Sequence, residues 1–455
     1  MKKNKSEIFD LPLSFYLTRK YTVFCFKRFY SEFIVVGREN IPTDAPVIFA
    51  PNHINALMDA IAVHSVVSDK LPLIFLARAD IFKNKTIAKI MRFMKIMPAF
   101  RMRDGIENLS KNDEIFNQCV DILQHNAALG IMPEGNQGEQ RKLRPIVKGI
   151  FRIAFSAQQQ YGLNPGVKIV PVGIDLGDYV KFGKHLIISI GKPIEISDYM
   201  SMFADNPVIA TNEIRNKLHD DLNNLSLNLA SDKFYDCFEI ATKVANESMV
   251  EEFNLPDNTV YRFVARQKIA TKLVEIEKTD PVKIEYLNSL CIDYQAKLNK
   301  FKLKDWLFEN RNSKKNLIIS DILLLFWTFP IYIYGFILNI LPFYSPVFIR
   351  KYVLKAKDIG FFSSLHFGLA LLTFPLFYTL QTILFSCLVS STWWIVLLFL
   401  ICQYTFGKWA FYWHKKFVKL HASLRFNKMN KNHLSEIENL ASLRNQIIGI
   451  VSNKH

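Results

Sequence analysis

Three long apolar stretches in the last third of the chain constrain its fold more than any other feature. Leu317–Leu341 is strongly apolar, interrupted by Asp321 and Pro330, and Phe361–Val389 is long enough to span a bilayer with tilt. Trp393–Phe406 is apolar and aromatic up to Lys408, then resumes from Trp409 to Trp413. A helix needs about 20 apolar residues to cross a bilayer, so the first two stretches give spans and the third a shorter one. Basic residues flank them at Lys314-Lys315, at Arg350, Lys351, Lys355 and Lys357, and from Lys408 to Lys419. Such residues attract anionic lipid or mark cytoplasmic loops. Three simple spans cannot put all of these bases on one side, so a hairpin plus a re-entrant or interfacial segment is expected. Asp321, near the end of its stretch, reaches the interface.

The rest of the chain has another composition. With 455 residues there is room for two or three domains. Half the residues are hydrophobic, yet the formal net charge is +16. That pairing suits an anionic membrane face or anionic substrates. No basic patch is interleaved with a nucleic-acid reader motif, so nucleic acid is not expected as a partner. Cys25, Cys119, Cys237, Cys291, Cys387 and Cys402 are scattered, with no CxxC pair, which fits reduced residues rather than a disulfide frame or a metal site. The basic N-terminus leads into no unbroken apolar core, so no cleaved signal peptide is expected. Residues 1–32 are read as an amphipathic helix at the membrane. There Phe15, Tyr16, Tyr21, Phe24, Phe26, Phe29 and Tyr30 alternate with Arg19, Lys20, Lys27 and Arg28, rings among acyl chains and bases at headgroups. The same pattern fits a helix packed on the domain.

From 33 to 195 short β-rich runs alternate with helical ones. Strands are expected at Phe33–Gly37, Pro46–Ala50, Ile74–Ala77, Ala128–Met132, Lys168–Ile174 and Leu186–Ile190, and helices at about 56–68, 86–96, 111–126 and 145–161. This alternation predicts an α/β domain. Residues 196–312 read as a helical linker or packing region, 313–420 as the transmembrane region, and 421–455 as a polar helical tail.

Candidate chemistry clusters where strands end, the usual ligand side of an open α/β sheet. Pro51-Asn52-His53 follows the second strand, and Asp59 falls in the first turns of the next helix, with Asn55 as its expected N-cap. A histidine oriented by a carboxylate can take a proton from a hydroxyl near neutral pH. Arg101 and Arg103 precede a turn and offer planar forks to phosphate or carboxylate. Pro133-Glu134-Gly135-Asn136-Gln137-Gly138 leaves another strand, its glycines able to present backbone N–H groups to an anion. Its spacing is not that of a nucleotide P-loop. Val170-Pro171-Val172 reads as an apolar strand at the edge of a core.

Taken in order, these four blocks resemble the glycerophospholipid acyltransferase family, over roughly residues 33–195. The resemblance implies a mixed sheet flanked by helices, with His53 and Asp59 as the catalytic pair. It implies Arg101, and with it Arg103, at the acceptor phosphate, and Glu134, Gly135 and Asn136 in the substrate-binding block. Five residues separate His53 from Asp59, where the family usually has four. Lys95 stands where the arginine block normally begins with glycine. The third block runs on as Asn136-Gln137-Gly138-Glu139-Gln140-Arg141-Lys142-Leu143-Arg144-Pro145, more like the branch of fungal glycerol-3-phosphate and dihydroxyacetone-phosphate acyltransferases.

The implied reaction moves an acyl chain from acyl-CoA or acyl carrier protein to a glycerophosphate-type lipid acceptor, with lysophosphatidic acid favoured. Glycerol-3-phosphate or dihydroxyacetone phosphate is the alternative acceptor, and a non-catalytic lipid-binding homologue the rival. No Gly-x-Ser-x-Gly elbow occurs, so direct transfer without an acyl-enzyme is expected, with no metal or other cofactor. Anionic membrane lipids are expected partners. The expected site of action is a bacterial inner membrane, with the catalytic domain on its cytoplasmic face. Six positions on a regular helix turn two side chains about 240° apart. His53 must therefore stand in the turn, outside the helix, to reach Asp59.

Overall fold

The computed structural model describes residues 9–99, 109–309 and 314–452. They fall into two compact units, Met1–Asn228 with Lys357–Ser364, and Leu229–Ala356 with Leu365–His455. The first unit is built on an eight-stranded sheet: β1 (Glu32–Val36), β2 (Val47–Pro51), β3 (Leu73–Arg78), β4 (Ile96–Ala99), β5 (Ala128–Gly130), β6 (Lys168–Leu176), β7 (His185–Ile190) and β8 (Ile194–Glu195). The order is β1-β7-β6-β2-β5-β3-β4, with β8 also on β6. Strands β2 to β6 are mutually parallel, β7 and β8 run antiparallel to β6, and β1 is parallel to β7. The sheet is therefore mixed, as expected.

All the expected strands are present, with ends shifted by a residue or two. Two short strands escaped the pattern. Strand β4 lies in what read as a loop, because Pro98 argues against a strand. It is tolerated because β4 pairs only with β3 and sits at the sheet edge. Pro171 gives the opposite result. Strand β6 is internal, not an edge, since β2 flanks one side and β7 with β8 the other. Strand β7 covers Val172 to Leu176 and β8 covers Lys168 and Ile169, so the missing N–H of Pro171 falls at the seam between them.

Helices α1 (Leu13–Phe29), α2 (Ala56–His64), α3 (Lys85–Phe93), α4 (Leu109–Gln124), α5 (Gly149–Tyr161), α6 (Met200–Asp205) and α7 (Pro207–Leu225) complete this unit. Ile48, Ala50, Ile74, Leu129 and Ile169 of the strands pack with Leu123, Phe151, Ile214 and Leu218 of the helices. Every residue of β2 is buried, as a central parallel strand requires. Helix α7 carries this unit beyond the boundary expected at 195. It closes on β6 at Gly173, where a Cβ would stand 2.1 Å from the Leu225 carbonyl oxygen.

Helix α1 packs one face, Phe15, Arg19, Thr22 and Phe26, and exposes Leu13, Leu17, Tyr21 and Phe24 on the other. Arg19 is thus not a headgroup ligand. Its guanidinium donates to the carbonyls of His64, Val67, Ser68 and Asp69 at 3.0–3.3 Å. Only His64 O belongs to the last turn of α2, which ends at His64 and not at the expected 68, and the other three carbonyls lie in the turn that follows it.

The second unit contains α8 (Tyr235–Val244), α9 (Asn246–Glu252), α10 (Thr259–Thr279), α11 (Pro281–Phe301), α12 (Lys314–Trp327), α13 (Phe329–Phe348), most of α14 (Phe362–Leu388), α15 (Trp393–Asn432) and α16 (Leu434–Val451). The expected polar tail is docked, with Ile437, Leu440 and Ile447 of α16 buried. Arg444 Nε donates to Asp305 Oδ1 at 3.1 Å, the oxygen that also accepts from the Tyr294 hydroxyl at 2.7 Å. Among the described residues, three helical stretches are long and apolar enough to cross a membrane: Phe329–Leu354, Ile359–Leu388 and Trp393–Asn432. The first expected span is instead two helices, α12 and α13, broken at Thr328 because Pro330 belongs in a first helical turn. The third is not short: α15 runs 40 residues. Between α13, α14 and α15, Asn339 accepts from the Tyr378 hydroxyl at 2.6 Å and donates to the Gln403 carbonyl at 3.0 Å. Amide and hydroxyl contacts of this kind hold helices together where burial of apolar surface cannot.

His64 is half-buried against Phe75, its ring centroid 5.3 Å away, and desolvation, with Arg19 adding to it, pushes its pKa down to about 3. The fold therefore requires neutral His64. Its stability contribution is complete above the unfolded value of 6.5 and is lost as pH falls from there towards 3. The slope from one such group is at most ~1.4 kcal/mol per pH unit. A His64→Leu variant should lose less melting temperature than the parent between about pH 6.5 and about pH 5. Equal losses in a thermal-shift series would rule this out.

Candidate active site

Strand β2 delivers the chain into a turn pinned to β6. The Asn52 backbone N–H donates to Val172 O at 3.1 Å, its side-chain Nδ2 to Ile174 O at 3.2 Å, and its Oδ1 accepts from Ile174 N at 2.7 Å. The side chain thus extends the ladder where the strand stops. His53 follows, its Nδ1 3.0 Å from Asp59 Oδ2. The same oxygen accepts the backbone N–H groups of Ile54 at 2.9 Å and Asn55 at 2.7 Å. Asp59 is fully buried in the first turn of α2, where the helix dipole favours a carboxylate. A carboxylate can only accept, so Nδ1 carries the proton and Nε2 is left as the base. The His53 side chain is 17% exposed, enough to meet a ligand.

The expected meeting of His53 and Asp59 is achieved as the spacing demands. His53 stands outside the helix, and the chain enters α2 through Ala56 at φ 35°, a left-handed value unusual for alanine. Asn55 holds the N-cap position without capping. Its Nδ2 donates to Tyr179 O at 3.0 Å, and its Oδ1 accepts from the Ser363 hydroxyl at 2.8 Å. The N–H of Leu57 is taken instead by Ser364 Oγ at 3.2 Å.

Glu134 lies behind the histidine. Its Oε1 accepts the His53 N–H at 2.7 Å, and its Oε2 accepts from Arg144 N at 3.0 Å and Arg144 Nε at 3.1 Å. Arg144 Nη2 and the Gly138 N–H both donate to His53 O. Glu134 therefore braces the histidine backbone, and Arg144 closes the brace. Gly135 adopts φ 71° and its N–H donates to Met132 O at 3.1 Å. The N–H groups of Gly135 and Gly138, expected to face an anion, are thus taken by backbone carbonyls, Met132 O in the same turn and His53 O in the other loop. Asn136 is exposed beside them. Arg141 pairs with buried Asp175, whose other oxygen lies 3.2 Å from His185 Nε2. Lys95, at the family's glycine position, has φ 59° in the turn into β4. The backbone conformation that glycine adopts freely is there, carried by a lysine. Arg101 and Arg103 lie outside the described residues.

Sequence reasoning missed Asn52, Arg144, Ser363 and Ser364 as parts of this site. Arg144 had a signal, because a buried glutamate in a turn needs a cation. The serines had none, more than 300 positions away. Glu134→Ala should leave the His53 N–H and the Arg144 guanidinium without their acceptor. The expected cost is about 2–4 kcal/mol, with Glu134→Gln costing less. Denaturant titrations of the two variants would test this, and equal stability of both with the parent would contradict the brace.

Residues 32–175 match the model of a family described as acyltransferase. The chain is 25% identical over 206 residues to glycerol-3-phosphate O-acyltransferase 1 of Saccharomyces cerevisiae, covering 45% of this chain and 26% of that protein. Glycerol-3-phosphate O-acyltransferase 2 of the same yeast is 24% identical over 221 residues, covering 48% and 28%. The chain thus spans about a quarter of the length of these curated relatives. A solved structure of the 1-acyl-sn-glycerophosphate acyltransferase PlsC from Thermotoga maritima aligns at 20% identity with a TM-score of 0.33, over 45% of this chain and 74% of that one. The segment that matches the acyltransferase family, residues 32–175, contains the turn from His53 to Asp59 and the Glu134 brace.

Proposed function

We propose that this chain transfers a fatty acyl group from acyl-CoA or acyl carrier protein to the hydroxyl of a glycerophosphate-type acceptor. The observation that carries the reading is the 3.0 Å contact between His53 Nδ1 and buried Asp59. His53 Nε2 takes the acceptor hydroxyl proton as the oxygen attacks the thioester carbonyl. A C–O bond forms, the C–S bond breaks, and the imidazolium returns its proton to the departing thiolate. Asp59 fixes the tautomer and stabilises the imidazolium. No acyl-enzyme is needed. Arg101 and Arg103 hold the acceptor phosphate. Asn136, exposed beside the turn, is the member of the Glu134 block that we assign to the same acceptor.

Between acceptors, the motifs alone favour lysophosphatidic acid. The extended third block and the names of both yeast relatives support glycerol-3-phosphate, and we rank it first. The three apolar helices support a membrane enzyme, and we assign its catalytic domain to the cytoplasmic face. Membranes containing the chain should transfer label from radioactive acyl-CoA to glycerol-3-phosphate faster than to lysophosphatidic acid. A faster reaction with lysophosphatidic acid would reverse the ranking. Label on neither acceptor would favour a lipid-binding role. His53→Ala should lower turnover by 10²–10⁴-fold or more while leaving the melting temperature within a few degrees. Near-normal turnover in that variant would sink the mechanism.

A further inference from the structure

A second set of contacts reaches the turn between His53 and Asp59 from its far side. Residues Lys357–Ser364 belong to the α/β unit, although they follow one membrane-length helical stretch and include the first residues of the next. Ser363 and Ser364 are 2% and 5% exposed, and Asn55 is fully buried. The Ser363 hydroxyl donates to Asn55 Oδ1 at 2.8 Å. Ser364 Oγ lies 3.3 Å from both Asn55 O and Asn55 Oδ1, and accepts the Leu57 N–H at 3.2 Å. At the other end of the strap, Asp358 Oδ2 accepts from Gln137 Nε2 at 2.9 Å, and Oδ1 caps Gly360 N at 2.9 Å. The strap thus touches both loops that shape the site.

These contacts fall where the catalytic turn is longest and most strained. Five residues separate His53 from Asp59, and Ala56 is forced to φ 35°. A left-handed alanine costs free energy and persists only where its surroundings hold it. Asn55 N is one of the three donors on Asp59 Oδ2, so displacement of Asn55 moves the carboxylate that orients His53. We infer that Ser363 and Ser364 are positioning residues for acyl transfer, holding the His53–Asp59 turn through Asn55. Catalytic competence then depends on the first turn of a membrane-length helix, and residues 1–228 by themselves carry an incomplete site. This inference rests on the acyl-transfer reading, but the strap geometry can be tested apart from it.

The test compares full-length wild type with the double variant S363A/S364A, each alone and on an Asp59→Asn background. Acyl transfer is measured with a long-chain acyl-CoA and glycerol-3-phosphate. Hydrogen exchange is followed by mass spectrometry over peptides covering 52–64. The double variant should lower kcat roughly 10- to 100-fold, as expected for a catalytic group displaced by about an ångström. KM for both substrates should change less than about threefold. On the Asp59→Asn background the serine substitutions should cost little more, because they act through Asp59. Peptides over 52–64 should exchange faster while those over β6 and α5 do not. A raised KM at unchanged kcat, an equal loss on both backgrounds, or unaltered exchange over 52–64 overturns the inference. Faster exchange with no acyl transfer by any form would retain the strap and reject the reaction assigned to the site.

Discussion

One buried carboxylate oxygen organises the site. Asp59 Oδ2 accepts from the ring of His53 and from the N–H groups of Ile54 and Asn55. A carboxylate with no exposed surface has lost its hydration, and three donors together with the helix N-terminus replace it. The orientation of the imidazole is therefore set by the same contacts that make the turn. The brace behind it works the same way: Glu134 serves one backbone N–H of the histidine and Arg144 serves its carbonyl. With backbone and ring both fixed, the histidine is positioned before a substrate arrives, which is the main advantage a protein base has over one in water.

The sheet supplies the platform. Strand β2 is flanked by β6 and β5, buried on both faces, and ends at the residue before Asn52. Asn52 then ties the turn to Ile174 of β6, while the Glu134 loop leaves from β5, the neighbour on the other side. Three adjacent strand ends thus converge on one histidine. The proline in β6 is compatible with this internal position because it lies at the seam between β7 and β8. The fold places its one missing donor where no ladder bond is called for.

Much of this was legible in the sequence, and what was not has physical causes. The strands around the site announced themselves by apolar runs bounded by turns, and the His53–Asp59 contact followed from spacing once His53 was put outside the helix. Two short strands carried no pattern, one because it contains Pro98 and one because two residues cannot show a period. The break between α12 and α13 was hidden by continuous hydrophobicity across Thr328, although Pro330 marked it. Arg19 looked like a membrane-facing base, since composition cannot tell which face of an amphipathic helix a charge occupies. The serines of the strap were invisible because their partners lie far away in sequence, and nothing local distinguishes a serine that only opens a helix from one that also supports a distant turn. The long gap from His53 to Asp59 was visible, and its physical meaning is a left-handed Ala56 that other parts of the unit must hold.

The central claim is that Asp59 fixes His53 with its proton on Nδ1 and leaves Nε2 bare. Nitrogen-15 NMR of the full-length protein labelled at histidine, with the His53 signal assigned by its loss in His53→Gln, reads this directly. The account predicts a protonated Nδ1 and an unprotonated, basic Nε2 in the neutral ring. The opposite tautomer, or a freely exchanging mixture of the two, would contradict it.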